Sequence, residues 1–222
     1  SPLYASMACP PRDTVHAMNY LLYISAAICA YLIAGWNPAI TLSRAVYKKD
    51  IREYGSGNAG FTNFKRSFGM RLAWVVLVLD LCKAAVVVSV FASLFERTLG
   101  LWQLGAAYTG FIAVLGHAFP IWYGFKGGKG FLVGLSTVYV IDWRVGLIAT
   151  LIMIVLLFTT KYMSLSTVTA MLCCPILLAL FGAARPTVLI EAATVLFIAL
   201  RHKENFKRLV AGTESKFALG SH

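Results

Sequence analysis

Seven apolar runs divide this 222-residue chain, near 17–40, 72–95, 99–122, 131–141, 145–160, 165–182 and 186–200. A helix rising about 1.5 Å per residue needs about 20 apolar residues to cross about 30 Å of hydrocarbon, and the longer runs reach that length. Within hydrocarbon the backbone has no water to bond, so spans of this kind close their own hydrogen bonds as helices. The expected fold is an all-α integral membrane protein, a seven-transmembrane-helix bundle forming one membrane domain over residues 1–222. The run 131–141 is short enough to be re-entrant, which makes a five-crossing bundle the competing arrangement. With 59% hydrophobic and 13% charged residues, an ordinary soluble domain is excluded.

Charge gives the orientation. The segments 41–71, 123–130, 161–164 and 201–222 hold fifteen lysines and arginines against Asp50, Glu53, Glu204 and Glu214, a net of +11. The segments between them on the opposite side carry Arg12, Arg97, Arg144 and Arg185 against Asp13, Glu96 and Asp142. Seven crossings put every strongly basic segment on one side, and the positive-inside rule makes that side the cytoplasm. The N-terminus is then outside, with 1–16 an extracytoplasmic tail, and 201–222 is a cytoplasmic helix and tail. Residues 1–16 lack the basic and apolar regions of a cleaved leader, so the first run is expected to be retained. The basic excess is accounted for by topology, and no nucleic-acid partner is expected. Cys29, Cys82, Cys173 and Cys174 lie in apolar runs and Cys9 in the tail, with no CxxC spacing, so neither disulfide nor metal is expected.

Three polar, glycine-punctuated stretches collect on the basic side. In "YGSGNAGFTNFKRSFG" (54–69), glycines at 55, 57 and 60 permit tight turns, and a helix beginning near Thr62 or Asn63 would put Arg66 on their face. Exposed backbone N–H groups at such a helix start suit an anion. An ordinary hydrophilic hairpin is the plainer alternative. In "GHAFPIWYGFKGGKG" (116–130), Pro120 ends or kinks a helix one turn after His117, and Lys126 and Lys129 sit three apart among glycines. The nucleotide-binding pattern G-x-x-x-x-G-K-[ST] is absent, because Gly130 follows Lys129. A flexible loop with snorkelling lysines would explain the charges but not four glycines. In "RHKENFKRLVAGTE" (201–214), a helix would align His202, Asn205 and Arg208. Attraction of a basic helix to anionic lipid explains the cations but neither His202 nor Asn205. Inside the second run, Asp80 and Lys83 can pair at i, i+3. Glu191 stands alone in the last run.

Four scattered carboxylates and no HExxH pattern argue against metal-dependent phosphoryl chemistry. The groups instead suit an enzyme that grips phosphorylated substrates and moves an already activated group, by positioning and charge stabilisation. The adjoining apolar bundle suggests an acyl tail on one substrate. A transporter of a phosphorylated metabolite would carry its site near the midplane on broken helices, and a non-catalytic binder of anionic lipid would leave Ser56, Asn205 and His202 unexplained.

Together the three stretches, in order, resemble the signature motifs of the bacterial acyl-phosphate:glycerol-3-phosphate acyltransferases, the PlsY family. Smaller matches are "DIR" at 50–52, Asp80 with Lys83, and "YMSLST" at 162–167, and the resemblance covers about residues 20–217. The chain departs from the family at "GWNP" (35–38) and in "FLV" after Gly130. The resemblance implies transfer of a fatty acyl group from acyl phosphate to the 1-hydroxyl of glycerol 3-phosphate, giving lysophosphatidate and phosphate at the start of phospholipid synthesis. It implies a multi-pass protein of the bacterial plasma membrane with its site facing the cytoplasm, no cofactor, no metal, and membrane lipids around a monomer. Carried over, Ser56 and His202 are the catalytic candidates. Asn58, Thr62, Asn63, Arg66, Lys126, Gly127, Gly128, Lys129, Gly130, Asn205 and Arg208 would bind substrate. Asp80, Lys83, His117, Ser164 and Ser166 would support the site.

Overall fold

The computed structural model describes residues 12–218, with side chains from His16 onward; Cys9 and most of the expected N-terminal tail lie outside the described residues. Among the described residues there are ten α-helices and no strand: α1 (Arg12–Gly35), α2 (Pro38–Tyr47), α3 (Phe61–Phe68), α4 (Met70–Leu99), α5 (Trp102–Ala118), α6 (Phe131–Ile141), α7 (Trp143–Thr160), α8 (Met163–Leu180), α9 (Arg185–Arg201) and α10 (Lys203–Val210).

Five helical stretches are long and apolar enough to cross a membrane: 16–47, 70–99, 102–123, 143–160 and 163–180. With 17 residues α9 falls just short in length, and α6 has 11. The first apolar run breaks where a single helix over 17–40 was expected. α1 ends at Gly35, and the Asn37 side chain then caps a new helix by accepting from the Ile40 N–H (3.0 Å). Pro38 occupies the first turn of α2, where its missing N–H costs nothing. The "GWNP" stretch thus carries a stop, a cap and a start in four residues.

Helix α5 is the hub and packs on α1, α4, α6 and α9. Its glycines allow the close approach. A Cβ on Gly110 would strike the Thr137 side chain on α6, and one on Gly116 would strike the Tyr31 backbone on α1. Lipid offers no hydrophobic drive between helices, so intimate packing of small residues holds them together instead. The core is accordingly rich in buried Ala and Val, such as Ala30, Ala84, Val88, Ala107, Ala113 and Val133. Large apolar side chains including Val86, Val155, Phe158 and Ile176 face outward, as lipid contact requires. Cys29, Cys82, Cys173 and Cys174 are free thiols. Glu191 is fully buried and, among the described residues, neither of its oxygens finds a hydrogen-bond partner.

A second, smaller apolar cluster of Ile40, Ile51, Ala59, Phe64 and Val76 joins α2, α3 and the start of α4. It holds the 54–69 loop against the end of the bundle where 124–130, the start of α8 and α10 also meet. Arg52 ties these parts together. Its guanidinium chelates Asp50 (2.8 and 3.0 Å) and donates to the carbonyls of Tyr123 (2.7 Å) and Lys126 (3.2 Å). The neighbouring cations hold the Asp50 carboxyl well below the usual carboxylate range.

Candidate active site

A cavity of about 810 Å³ opens at that end of the bundle and runs into it. Its polar end is lined by Ser56, Asn58, Thr62, Asn63, Arg66, Lys129, Gly130, Ser164, His202, Asn205, Arg208 and Glu214. Residues from all three glycine-punctuated stretches therefore share one chamber. Its apolar end lies between α4, α6 and α7, along Leu81, Ala85, Leu132, Leu135, Tyr139 and Met153.

In the first stretch one side chain organises the loop. Asn63 is buried on α3 and donates to the carbonyls of Tyr54 (2.9 Å), Asn58 (3.0 Å) and Ile51 (3.3 Å), while its Oδ1 accepts from the Ser56 N–H (2.9 Å). Gly55 has φ +57° and a Cβ there would collide with Asn63 Oδ1, so only glycine lets the amide in. Asn63 is expected from the sequence to hold substrate, yet its amide is committed to the loop. Ser56 lines the chamber, and its hydroxyl makes no hydrogen bond among the described residues.

The second stretch is built differently. The N–H groups of Gly127 and Gly128 donate to the carbonyls of Ala118 (3.1 Å) and His117 (3.2 Å). The loop therefore lies flat on the end of α5. A Cβ on Gly128 would run into the His117 ring and the Ala59 carbonyl oxygen (2.8 Å). Neither glycine lines the cavity, and neither does Lys126, which is exposed. Lys129 does line it, and its ammonium donates to Asn205 Oδ1. Gly130 (φ +89°) then turns the chain into α6, whose N-terminus opens on the chamber. The first-turn amides of such a helix have no intrahelical partner, which favours an anion.

Behind this loop lies a buried ionic cluster. Lys83 on α4 donates to the Trp36 carbonyl (2.6 Å) and to His117 Nδ1 (3.1 Å) and forms an ion pair with Asp80 (2.8 Å). Because the ammonium donates to Nδ1, the His117 proton resides on Nε2, beside Gly128. The cluster pins the α1–α2 break and the glycine loop to the bundle. Removing Lys83 or Asp80 would leave an uncompensated buried charge.

The third stretch supplies the remaining groups. His202 sits at the junction of α9 and α10, and its Nδ1 donates to the Ile198 carbonyl (2.8 Å). That fixes the tautomer and leaves the Nε2 lone pair for another partner. Burial pushes the imidazole pKa down to about 4, the Ile198 hydrogen bond opposes this, and the charges of Lys129 and Arg201 add to the depression. His202 is therefore neutral near pH 7. Burial likewise lowers Lys129 to about 8, with Arg208 contributing and Glu214 opposing.

Glu214 was not singled out from the sequence. Its carboxylate accepts from Asn205 Nδ2 (2.7 Å), Arg208 Nε (2.8 Å) and Ser164 Oγ (3.0 Å). It orients the Asn205 amide so that Oδ1 meets Lys129. The only sequence signal was an acid closing a basic stretch. Ser166, by contrast, donates to the Tyr162 carbonyl (2.8 Å) and does not line the cavity.

A family described as glycerol-3-phosphate acyltransferase matches residues 24–212. A glycerol-3-phosphate acyltransferase of Thermoanaerobacter pseudethanolicus is 36% identical over 87% of this chain and 94% of its own length. One of Mesorhizobium japonicum is 36% identical over 90% of this chain and 97% of its own. The crystal structure of PlsY, an integral membrane glycerol 3-phosphate acyltransferase in its glycerol 3-phosphate form, is similar with TM-score 0.82 and 28% identity, covering 88% of this chain and 96% of that one.

Proposed function

This chain belongs to the glycerol-3-phosphate acyltransferase family, and on that premise we propose that it transfers a fatty acyl group from acyl phosphate to the 1-hydroxyl of glycerol 3-phosphate, releasing lysophosphatidate and phosphate. The observation that carries this is the single chamber with a cationic polar end and an apolar groove. An acyl phosphate has the same two ends.

In this reading the reactive carbonyl sits where groove and polar end meet. Lys129 and the N-terminus of α6 hold the donor phosphate and stabilise its charge as the carbonyl–phosphate bond breaks. Arg66 and Arg208, with Asn58 and Thr62, hold the phosphate of the acceptor. The free Ser56 hydroxyl donates to the oxygen that gains charge as the acceptor adds. His202 accepts a hydrogen bond from the 1-hydroxyl at Nε2 and aims it at the carbonyl carbon. A conjugate acid near 4 makes His202 a weak base. The phosphate of glycerol 3-phosphate, with a second pKa of about 6, is the better final proton acceptor. Each step then needs positioning and fixed charge, with no cofactor and no metal.

The same reading carries the seven-crossing topology in the bacterial plasma membrane, site to the cytoplasm, as one monomeric membrane domain. It treats α6 and α9 as crossings. α6 has 11 residues to the 18 of α7, so it is the shortest of the seven.

Purified protein in lipid should release phosphate from palmitoyl phosphate only when glycerol 3-phosphate is present. Absence of coupled release from folded protein would refute the donor assignment. His202→Ala should cost at least about a hundredfold in turnover, because the 1-hydroxyl loses the group that aims it at the carbonyl carbon. A near-normal rate would remove His202 from the step.

A further inference from the structure

A polar pair lines the apolar groove where α6 meets α7. Tyr139 on α6 and Thr150 on α7 both line the cavity, and their hydroxyls lie 2.8 Å apart. The Thr150 proton is committed to the Gly146 carbonyl (2.9 Å), so the Tyr139 hydroxyl is the donor between them. The Tyr139 ring rests on Gly146, where a Cβ would lie 2.6–2.8 Å from three ring carbons. A glycine seat and a hydrogen bond therefore fix one aromatic ring, 37% exposed, at the groove wall. Among the described residues, its neighbours Leu81, Cys82, Ala85, Leu135, Ser136, Val140 and Met153 on that wall carry no aromatic ring.

We propose that the Tyr139–Thr150 pair is the stop that sets acyl-chain length, a specificity device resting on the acyltransferase reading above. Tyr139 lies eight residues beyond Phe131, about 12 Å along α6 at 1.5 Å per residue. Adding the short distance back to Lys129, an extended tail advancing about 1.2 Å per bond meets the ring after about twelve carbons. Further methylenes must bend or leave between the helices into lipid. The lipid is as apolar as the groove, so they gain nothing by hydrophobic transfer and lose packing against the wall. Discrimination falls on chain length and not on the headgroup.

The test is a competition. Protein in nanodiscs receives an equimolar mixture of saturated acyl phosphates from ten to eighteen carbons, with glycerol 3-phosphate, and the lysophosphatidates are measured by mass spectrometry. Tyr139→Leu, which keeps the site apolar but removes the ring's reach, should move the most abundant product at least two carbons longer. Thr150→Val, which removes only the tether, should move it the same way by less. Folded variants that both keep the wild-type distribution would overturn the proposal. A wild type that makes no lysophosphatidate would instead refute the acyltransferase reading. The stop is then read without turnover, by thermal stabilisation with acyl phosphonates of the same lengths. Stabilisation should level off near twelve carbons in the wild type and continue rising in Tyr139→Leu, and identical curves would reject the stop.

Discussion

In residues 54–69 the glycines bend the chain around a side chain, whereas in residues 124–130 they lay the backbone on another helix. Gly55 makes room for Asn63, which gathers the loop and sets Ser56 on the chamber wall. Gly127 and Gly128 use their N–H groups on the end of α5, and only Lys129 reaches the chamber from that run of residues before Gly130. Two stretches of similar composition thus serve opposite ends of the same task. One brings a serine to the chamber wall, and the other brings a lysine there. Glycine density reports close backbone approach, but what is approached can be protein as readily as phosphate.

Substitutions along the second loop test that distinction hardest. Gly128→Ala should have the largest effect. The added methyl meets a ring and a backbone oxygen, an overpacking cost of about 1–3 kcal/mol or more. The accompanying displacement of Lys129 should cost at least about a hundredfold in turnover. A variant with wild-type melting temperature and rate would show that the loop does not depend on His117.

Lys129→Ala should come next, at about a hundred- to a thousandfold in kcat/KM with a normal melting temperature, as for loss of one charge-stabilising donor. Its pH dependence has a definite sign. The pKa of about 8 leaves Lys129 charged below that pH and neutral above it. KM for acyl phosphate should therefore be flat below pH 7 and climb as pH passes 8, while Lys129→Arg should stay flat. A wild-type profile level to pH 9.5 would contradict the assignment.

Ser56→Ala should follow, at about a hundredfold in kcat with little change in KM, because its hydroxyl contributes once charge develops. The smallest effect belongs to Lys126→Ala. Its side chain is exposed and its carbonyl alone is engaged, so activity should stay within about twofold. A large loss there would restore both lysines to the site and erase the contrast between the loops.

Much of the architecture was written in local patterns. The 131–141 helix has the expected bounds, since Gly130 and Asp142 close it at both ends. The break at Gly35–Pro38 was present in the residues as a cap and an N1 proline, but an unbroken run of hydropathy masked it. In the site, His202, Asn205 and Arg208 line one chamber as their spacing suggested. Asn63 and Ser166 bear polar groups of the right kind yet turn them onto their own backbone surroundings. Helical spacing gives a face, not a hydrogen-bond partner. Glu214 escaped notice because its partners lie up to 50 residues away, on Ser164, Asn205 and Arg208.

By itself the sequence determined that this chain lives in a membrane as helices, and it placed its polar stretches at one end. Both follow from hydrocarbon's intolerance of unpaired backbone and charge, which acts on every residue in turn. Only the tertiary structure decided which of those polar residues line the chamber and which hold the loops. Those outcomes depend on atoms meeting across helices, at Gly55 with Asn63, at Gly128 with His117 and at Tyr139 with Thr150, and no local pattern encodes a meeting between distant residues.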